Sequence, residues 1–181
     1  MKRPFYFEMG GEFLPNSAAL KPGTREGTSK GEIMIIAVVA MLKEILTKGK
    51  DYPWPRPAEC PECKRKRLWG HGFVSAWFDE CPSPIFLRRY RCPECDCVIR
   101  LKPEGYFARF HCTIEAIRTD LSHRIRTSRW LSGTSRSRQG HWLRALKRNA
   151  KAYLSDVFDG SLLDAFEQLL SMSKTPVTRS I

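Results

Sequence analysis

Apolar and polar positions along this chain change period several times, and each change marks an element. Residues 33–42 are ten apolar residues in a row, followed by Lys43, Glu44 and Lys48 before Gly49. That run with its wetter flank predicts an apolar helix from residue 31 to residue 48, which Gly49 stops. A bilayer core needs about 20 helical residues, so the run is expected to pack within the protein or against a second copy rather than span a membrane. Pro53, Pro55 and Pro57 around Trp54 then forbid helix and predict a stiff, extended linker. Residues 1–32 are rich in turn formers and lack a period, which predicts a flexible N-terminal segment.

Further along, short aromatic and β-branched runs lie between Gly and Pro breaks: Leu68-Trp69 and residues 72–78, 85–91 and 98–101. These read as strands. From Thr113 the period becomes helical, with Ile114, Ile117, Leu121 and Ile125 on one stripe. After Trp130-Leu131-Ser132-Gly133 a second helical pattern turns Trp142, Leu143, Leu146, Ala150 and Tyr153 inward. A last helix over residues 161–172 carries Leu162, Leu163, Phe166, Leu169 and Leu170 and is acidic outside. With Cys60, Cys63, Cys92 and Cys95 forming two Cys-x-x-Cys pairs spaced to hold one Zn²⁺ among these strands, the predicted class is α+β: a small β zinc ribbon, then an α-helical helix-turn-helix region, with an N-terminal helix ahead of both. The expected divisions are a flexible segment at 1–32, an apolar helix and Pro-rich linker at 33–57, the ribbon at 58–112, the helix-turn-helix region at 113–158, and a C-terminal helix and tail at 159–181.

Cys60-Pro61-Glu62-Cys63 and Cys92-Pro93-Glu94-Cys95 are two copies of one tetrapeptide, 28 residues apart. Two Cys-x-x-Cys pairs supply the four thiolates of a closed tetrahedral Zn²⁺ site, so Cys60, Cys63, Cys92 and Cys95 are the expected ligands and Zn²⁺ the expected cofactor. A redox dithiol would need only one pair. Cys97 is the nearest substitute ligand, whereas Cys81, Cys112 and His71 have no paired spacing. Four protein ligands leave no open position, which argues against a catalytic metal.

Charge sharpens this picture. The chain of 181 residues has a formal net charge of +12. Residues 113–152 hold ten basic and two acidic residues, so two-thirds of the excess sits in forty residues. A concentrated block suggests a polyanionic partner where diffuse basicity would suggest only solubility. Within the block, Gly133 offers a turn, Ser135 an N-cap, and Trp142-Leu143 the first apolar anchor, the layout of a recognition helix. Arg136, Arg138 and Gln139 are types that read guanine or adenine, and Arg126, Arg129, Arg144 and Lys147 suit phosphate. Ser135 would leave the positive helix end free to meet phosphate.

Nucleotide-binding loops, nucleophile elbows and His-Glu-x-x-His motifs do not occur, and the carboxylates do not converge, so catalysis is not expected. The basic start Met1-Lys2-Arg3 has no apolar segment behind it, so no secretion signal is expected, and reduced thiols in the cytoplasm follow.

Residues 58–151 resemble the N-terminal part of bacterial insertion-sequence transposases and their small companions. The resembling residues are the two Cys-Pro-Glu-Cys knuckles, the His71-Gly72 step, Arg89-Tyr90-Arg91 ahead of Cys92, and residues 135–143 followed by Arg144. The resemblance implies a ribbon and helix-turn-helix that bind double-stranded DNA at element ends, beside a catalytic domain this chain does not contain. The expected function is a non-catalytic, zinc-dependent DNA-binding protein, a transposition accessory or transcriptional regulator. A transposase or other protein is an expected partner, the outer helices are expected to serve packing or self-association, and no membrane partner is expected. An adaptor docking a larger nucleoprotein machine, or an RNA-binding ribbon using Trp69, Trp77 and Tyr90, are the alternatives.

Overall fold

A computed structural model describes residues 33–154 and 158–179; the segment expected to be flexible, 1–32, lies outside the described residues. Four strands and four helices follow in order: β1 Ile33–Val38, α1 Leu42–Lys48, β2 Trp69–Ala76, β3 Ile85–Arg91, β4 Val98–Pro103, α2 Ile114–Thr127, α3 Arg136–Leu154 and α4 Leu162–Ser171. The class is α+β.

The sheet runs β1-β4-β3-β2. β3 pairs antiparallel with β2 on one side and β4 on the other, and β1 lies parallel along β4 from Ile33 opposite Val98 to Val38 opposite Pro103. This corrects the helix expected at 31–48. Its first half is a strand, and the helix begins only at Leu42. Ile33, Ile35, Ile36 and Val38 are β-branched, and β4 offers an open edge, so ladder hydrogen bonds outweigh a weak helical preference. Gly49, at φ +57°, stops α1 as expected. Residues 53–57 are without regular structure, and Arg56 donates to the Leu68 carbonyl, which holds this segment against the chain leading into β2. The His71-Gly72 step is a β-bulge, where the pairing of β2 with β3 slips between Gly70 and Phe73 and Gly72 takes φ +70°.

Alternation along β3 and β4 divides the sheet into two faces. Tyr90, Ile99 and Leu101 pack with Leu68, Cys60 and Cys92 on the thiol side. Ile85 and Leu87 pack with Ile45 of α1 and Phe78 on the other. The three long helices form a separate core from Ile117, Leu121, Trp142, Ala145, Leu146, Phe166 and Leu169, closed by Phe110 and Val177. α2 starts at Thr113, whose hydroxyl accepts from the Ala116 N–H, and α4 starts in a Ser161–Asp164 capping box. Tyr153 does not turn inward as its spacing suggested. It is 50% exposed, because α3 has nineteen residues and α4 only ten, about 28 Å against 15 Å, so the end of α3 overhangs the bundle.

α2 and α3 are joined by residues 128–135, eight residues. A DNA-binding helix-turn-helix uses a turn of about three or four, so this connection is longer. Ser128 closes α2 in the left-handed region, and Gly133 at φ +100° redirects the chain.

Candidate metal centre and basic helix

Each Cys-Pro-Glu-Cys tetrapeptide folds into the same knuckle. Cys60 N–H donates to the Arg65 carbonyl at 2.8 Å and Lys64 N–H to the Cys60 carbonyl at 2.9 Å. The second copy repeats both bonds, Cys92 to Cys97 and Asp96 to Cys92, each at 3.0 Å. The residue after each second cysteine takes a positive φ, +60° at Lys64 and +58° at Asp96. Such a turn aims both sulfurs of a pair the same way. Across the pairs, Cys60 and Cys95 sulfurs are 3.6 Å apart and Cys63 and Cys92 sulfurs 3.5 Å. All four lie within 4.8 Å of one another. A tetrahedral Zn–thiolate centre with bonds of about 2.3 Å has edges of about 3.8 Å, so the sulfurs already stand near a metal's coordination sphere. Cys60, Cys63, Cys92 and Cys95 could therefore hold a metal ion. Cys97 sits beside the group, not in it.

Thiol acidities reflect this crowding. Burial works against ionisation of Cys92, yet the N–H groups of Cys95 and Glu94 and the neighbouring thiols outweigh it and bring Cys92 down to about 7. Burial, with charge on Cys60 next, pushes Cys97 up to about 11, and burial raises Cys95 as well. Cys95 thus holds its proton more firmly than Cys92, and a metal must expel thiol protons to bind.

The residues expected to meet nucleic acid separate into two groups. Ser135 does cap α3, accepting from the Arg138 N–H at 3.3 Å. Arg126, Arg129, Arg136, Arg144 and Lys147 are exposed. Gln139 is not available for base reading, and that assignment is corrected. Its side chain is 1% exposed, its Oε1 accepts from Leu131 N–H at 3.1 Å, and its Nε2 donates to the Leu131 and Thr134 carbonyls at 2.7 and 2.8 Å. The amide shapes the loop before α3. Arg138 is tied back too, bridging to Asp79 at 2.7 Å and lying 4.9 Å from the Trp142 ring centre. It joins sheet to helices more than it faces outward. Gly140 lies in the exposed basic face but is itself buried, with the Trp130 ring tip beside it and Arg124 stacked at 4.2 Å on that ring.

Three groups carry weight that the sequence did not single out. Lys102, 5% exposed, donates to the carbonyls of Phe107, Ala108 and Phe110 at 2.6, 3.2 and 2.7 Å. Burial, with Arg100 nearby, brings its ammonium down to about 8. Asp120 is buried in α2; burial raises its carboxyl, opposed by the Thr134 hydroxyl and Arg138. Asp79 anchors Arg138, and its N–H donates to the His111 carbonyl at 3.0 Å. Trp69 and Trp77 are exposed, but Tyr90 is buried, so the aromatic row expected for a single strand is not formed. Among the described residues, no helix is long and apolar enough to cross a membrane. Comparison of the chain with family models, with curated proteins and with solved structures finds no match to any of them.

Proposed function

We propose that this chain is a zinc-stapled, non-catalytic DNA-binding protein, a transposition accessory or transcriptional regulator, that meets duplex phosphate through α3. One observation carries the reading. α3 has no acidic residue in nineteen positions, and its exposed residues Arg136, Arg144, Lys147 and Arg148 fall within about 120° of arc at 3.6 residues per turn. None of these four forms an ion pair among the described residues. Four like charges gathered without counter-ions repel one another, and a polyanion relieves that repulsion. Arg126 and Arg129 extend the same positive field at the exit of α2.

If these six residues each neutralise one phosphate, log K falls with log[salt] at a slope of about −5. Fluorescence anisotropy of the zinc-loaded chain on duplex DNA, between low and physiological salt, measures it. A slope near zero removes the reading. Arg136→Ala should weaken discrimination between sequences, whereas Lys147→Ala should weaken every duplex alike.

A second reading, a protein-docking adaptor, is favoured by Ile33, Val39 and Met41, which stay exposed along and after the edge strand β1. A concentration-dependent mass in sedimentation that Val39→Ser/Met41→Ser abolishes would support it.

A further inference from the structure

The sheet face away from the thiols carries charges that the α3 reading does not use. Register sets Arg89 of β3 directly opposite Arg100 of β4. Directly opposed residues hold their Cβ atoms about 4.5–5.5 Å apart, and like charges there repel. Neither guanidinium has an ion pair among the described residues. The Nε of each is shielded from solvent and has no hydrogen-bond partner among the described residues. A buried donor without an acceptor is a cost that native structures seldom carry without a reason.

Beside this pair a groove of about 500 Å³ is lined by Arg100, Lys102, Arg109, His111, Arg179 and Trp77, with no carboxylate among the described residues of its wall. Lys102 is already committed to three backbone carbonyls. That leaves Arg100, Arg109 and Arg179 in the wall for a ligand, with Arg89 paired opposite Arg100 beside it. An adjoining cavity shares Phe110, His111 and Arg179 with it and reaches Ser135 and Ser137 at the start of α3. The Asp79 carboxylate in that cavity is taken up by Arg138, so Arg179 is the cation that carries charge from the sheet toward the first turn of the helix. Trp77, 56% exposed, offers a flat apolar surface among these cations.

We propose that the Arg89–Arg100 face and its groove form a phosphate site that takes the sugar-phosphate backbone of a nucleic acid, as a second contact beside α3. The inference rests on the polyanion reading above. Guanidinium forks pair with phosphate oxygens two at a time, and opposed forks can grip one phosphate from both sides. A small anion would fill one end of the site. A backbone uses its length, because charge and an exposed ring follow each other along the groove.

The test compares the zinc-loaded full chain with Arg89→Gln/Arg100→Gln and with Arg144→Gln/Lys147→Gln. The first readout is the salt slope on duplex DNA. The α3 variant should lose about 1.8 from its magnitude, two phosphate contacts' worth, and the sheet variant about 0.9, the single phosphate its two forks grip. The second is thermal stability with inorganic pyrophosphate at constant ionic strength, which should rise for the wild type and the α3 variant but not for the sheet variant. A wild-type slope in the sheet variant overturns the inference, while a fall in the α3 variant alone keeps the proposed function. A fall in the sheet variant alone supports the inference and removes α3 from the contact. Pyrophosphate stabilisation without any duplex binding overturns the backbone assignment in favour of a small phosphate. Without anion, the sheet variant should melt no lower than the wild type, since a repulsive pair is gone. Should it fail to fold, Arg89→Lys/Arg100→Lys keeps the charge but not the forks. Weaker duplex binding at an unchanged slope is then expected, and unchanged affinity overturns the site.

Discussion

Replacing Gln139 by leucine keeps a side chain of similar size and removes the three hydrogen bonds that join α3 to the loop before it. Oε1 serves the Leu131 N–H, and Nε2 serves the Leu131 and Thr134 carbonyls, at 3.1, 2.7 and 2.8 Å. At a net worth of about 1 kcal/mol each, the set contributes about 3 kcal/mol. Leu131 and Thr134 are half-buried, so water reaches part of what the leucine orphans. A loss of about 2–3 kcal/mol is expected. For a chain this long, 1 kcal/mol moves Tm by about 2–4 °C, so the variant should melt roughly 5–10 °C lower.

Urea denaturation of the zinc-loaded protein measures the same loss as a lower midpoint at an unchanged slope. Duplex binding, measured well below both melting points, separates the clamp from a base reader. A clamp variant should lose affinity on all sequences alike or on none. An unchanged Tm with selective loss on one sequence would mean that Gln139 leaves its pocket to read DNA, and the argument from its burial would be wrong.

Metal removal should act unevenly. A structural zinc contributes about 10–16 kcal/mol, more than most domains hold in total, while the helices own a core around Trp142, Leu146 and Phe166. Chelation should therefore collapse the sheet around the four cysteines and leave much of the helical circular dichroism, with one equivalent of zinc restoring the whole; complete loss of helix on chelation contradicts this. Lys102 has a depressed ammonium, about 8 against 10.5 unfolded. Between those values the unfolded chain binds more protons, so unfolding free energy should rise with pH from 8 to 10.5 and fall back as pH drops through 8. Lys102→Met should lack that rise, and parallel pH profiles would refute the assignment. Gly140→Ala should stabilise by up to about 1 kcal/mol, because a Cβ there meets only Arg144 Nη1 at 3.4 Å and Trp130 Cη2 at 3.7 Å; a lower Tm would show that the Trp130 ring needs the glycine. A double-mutant cycle on Arg138→Ala and Asp79→Ala should give a coupling of about 0.5–1 kcal/mol, since both groups are partly solvated; zero coupling would remove this link between sheet and helices.

What could be read from the sequence was what local chemistry determines. β3 over residues 85–91, the two knuckles, the Ser135 cap and the Ser161 start of α4 all depend on residues within a few positions of one another. β1 was misread because a continuous apolar run looks alike as buried helix and as buried strand. Only the free edge of β4, some sixty residues later, decides it. Gln139 looked like a base reader because its neighbours are polar and basic; its true partners, Leu131 and Thr134, become visible only once the loop folds back over α3. The Arg89–Arg100 opposition could not be seen either, since it depends on register across two strands.

The same distinction explains how a metal could influence a helix it does not touch. The knuckles tie Cys60 to Cys95 and Cys63 to Cys92, which fixes where β3 ends and β4 begins. β4 then carries Lys102 into the loop at residues 107–110, where one ammonium gathers three carbonyls. That loop presents His111 to the Asp79 N–H, and Asp79 holds Arg138 in the first turn of α3. Every link after the thiols is polar, and the sheet and the helices keep separate apolar clusters. Polar joints are directional where apolar ones slide. A polar chain of this kind therefore sets the direction of α3 relative to the sheet, and an ion at one end can hold two basic surfaces in one fixed relation.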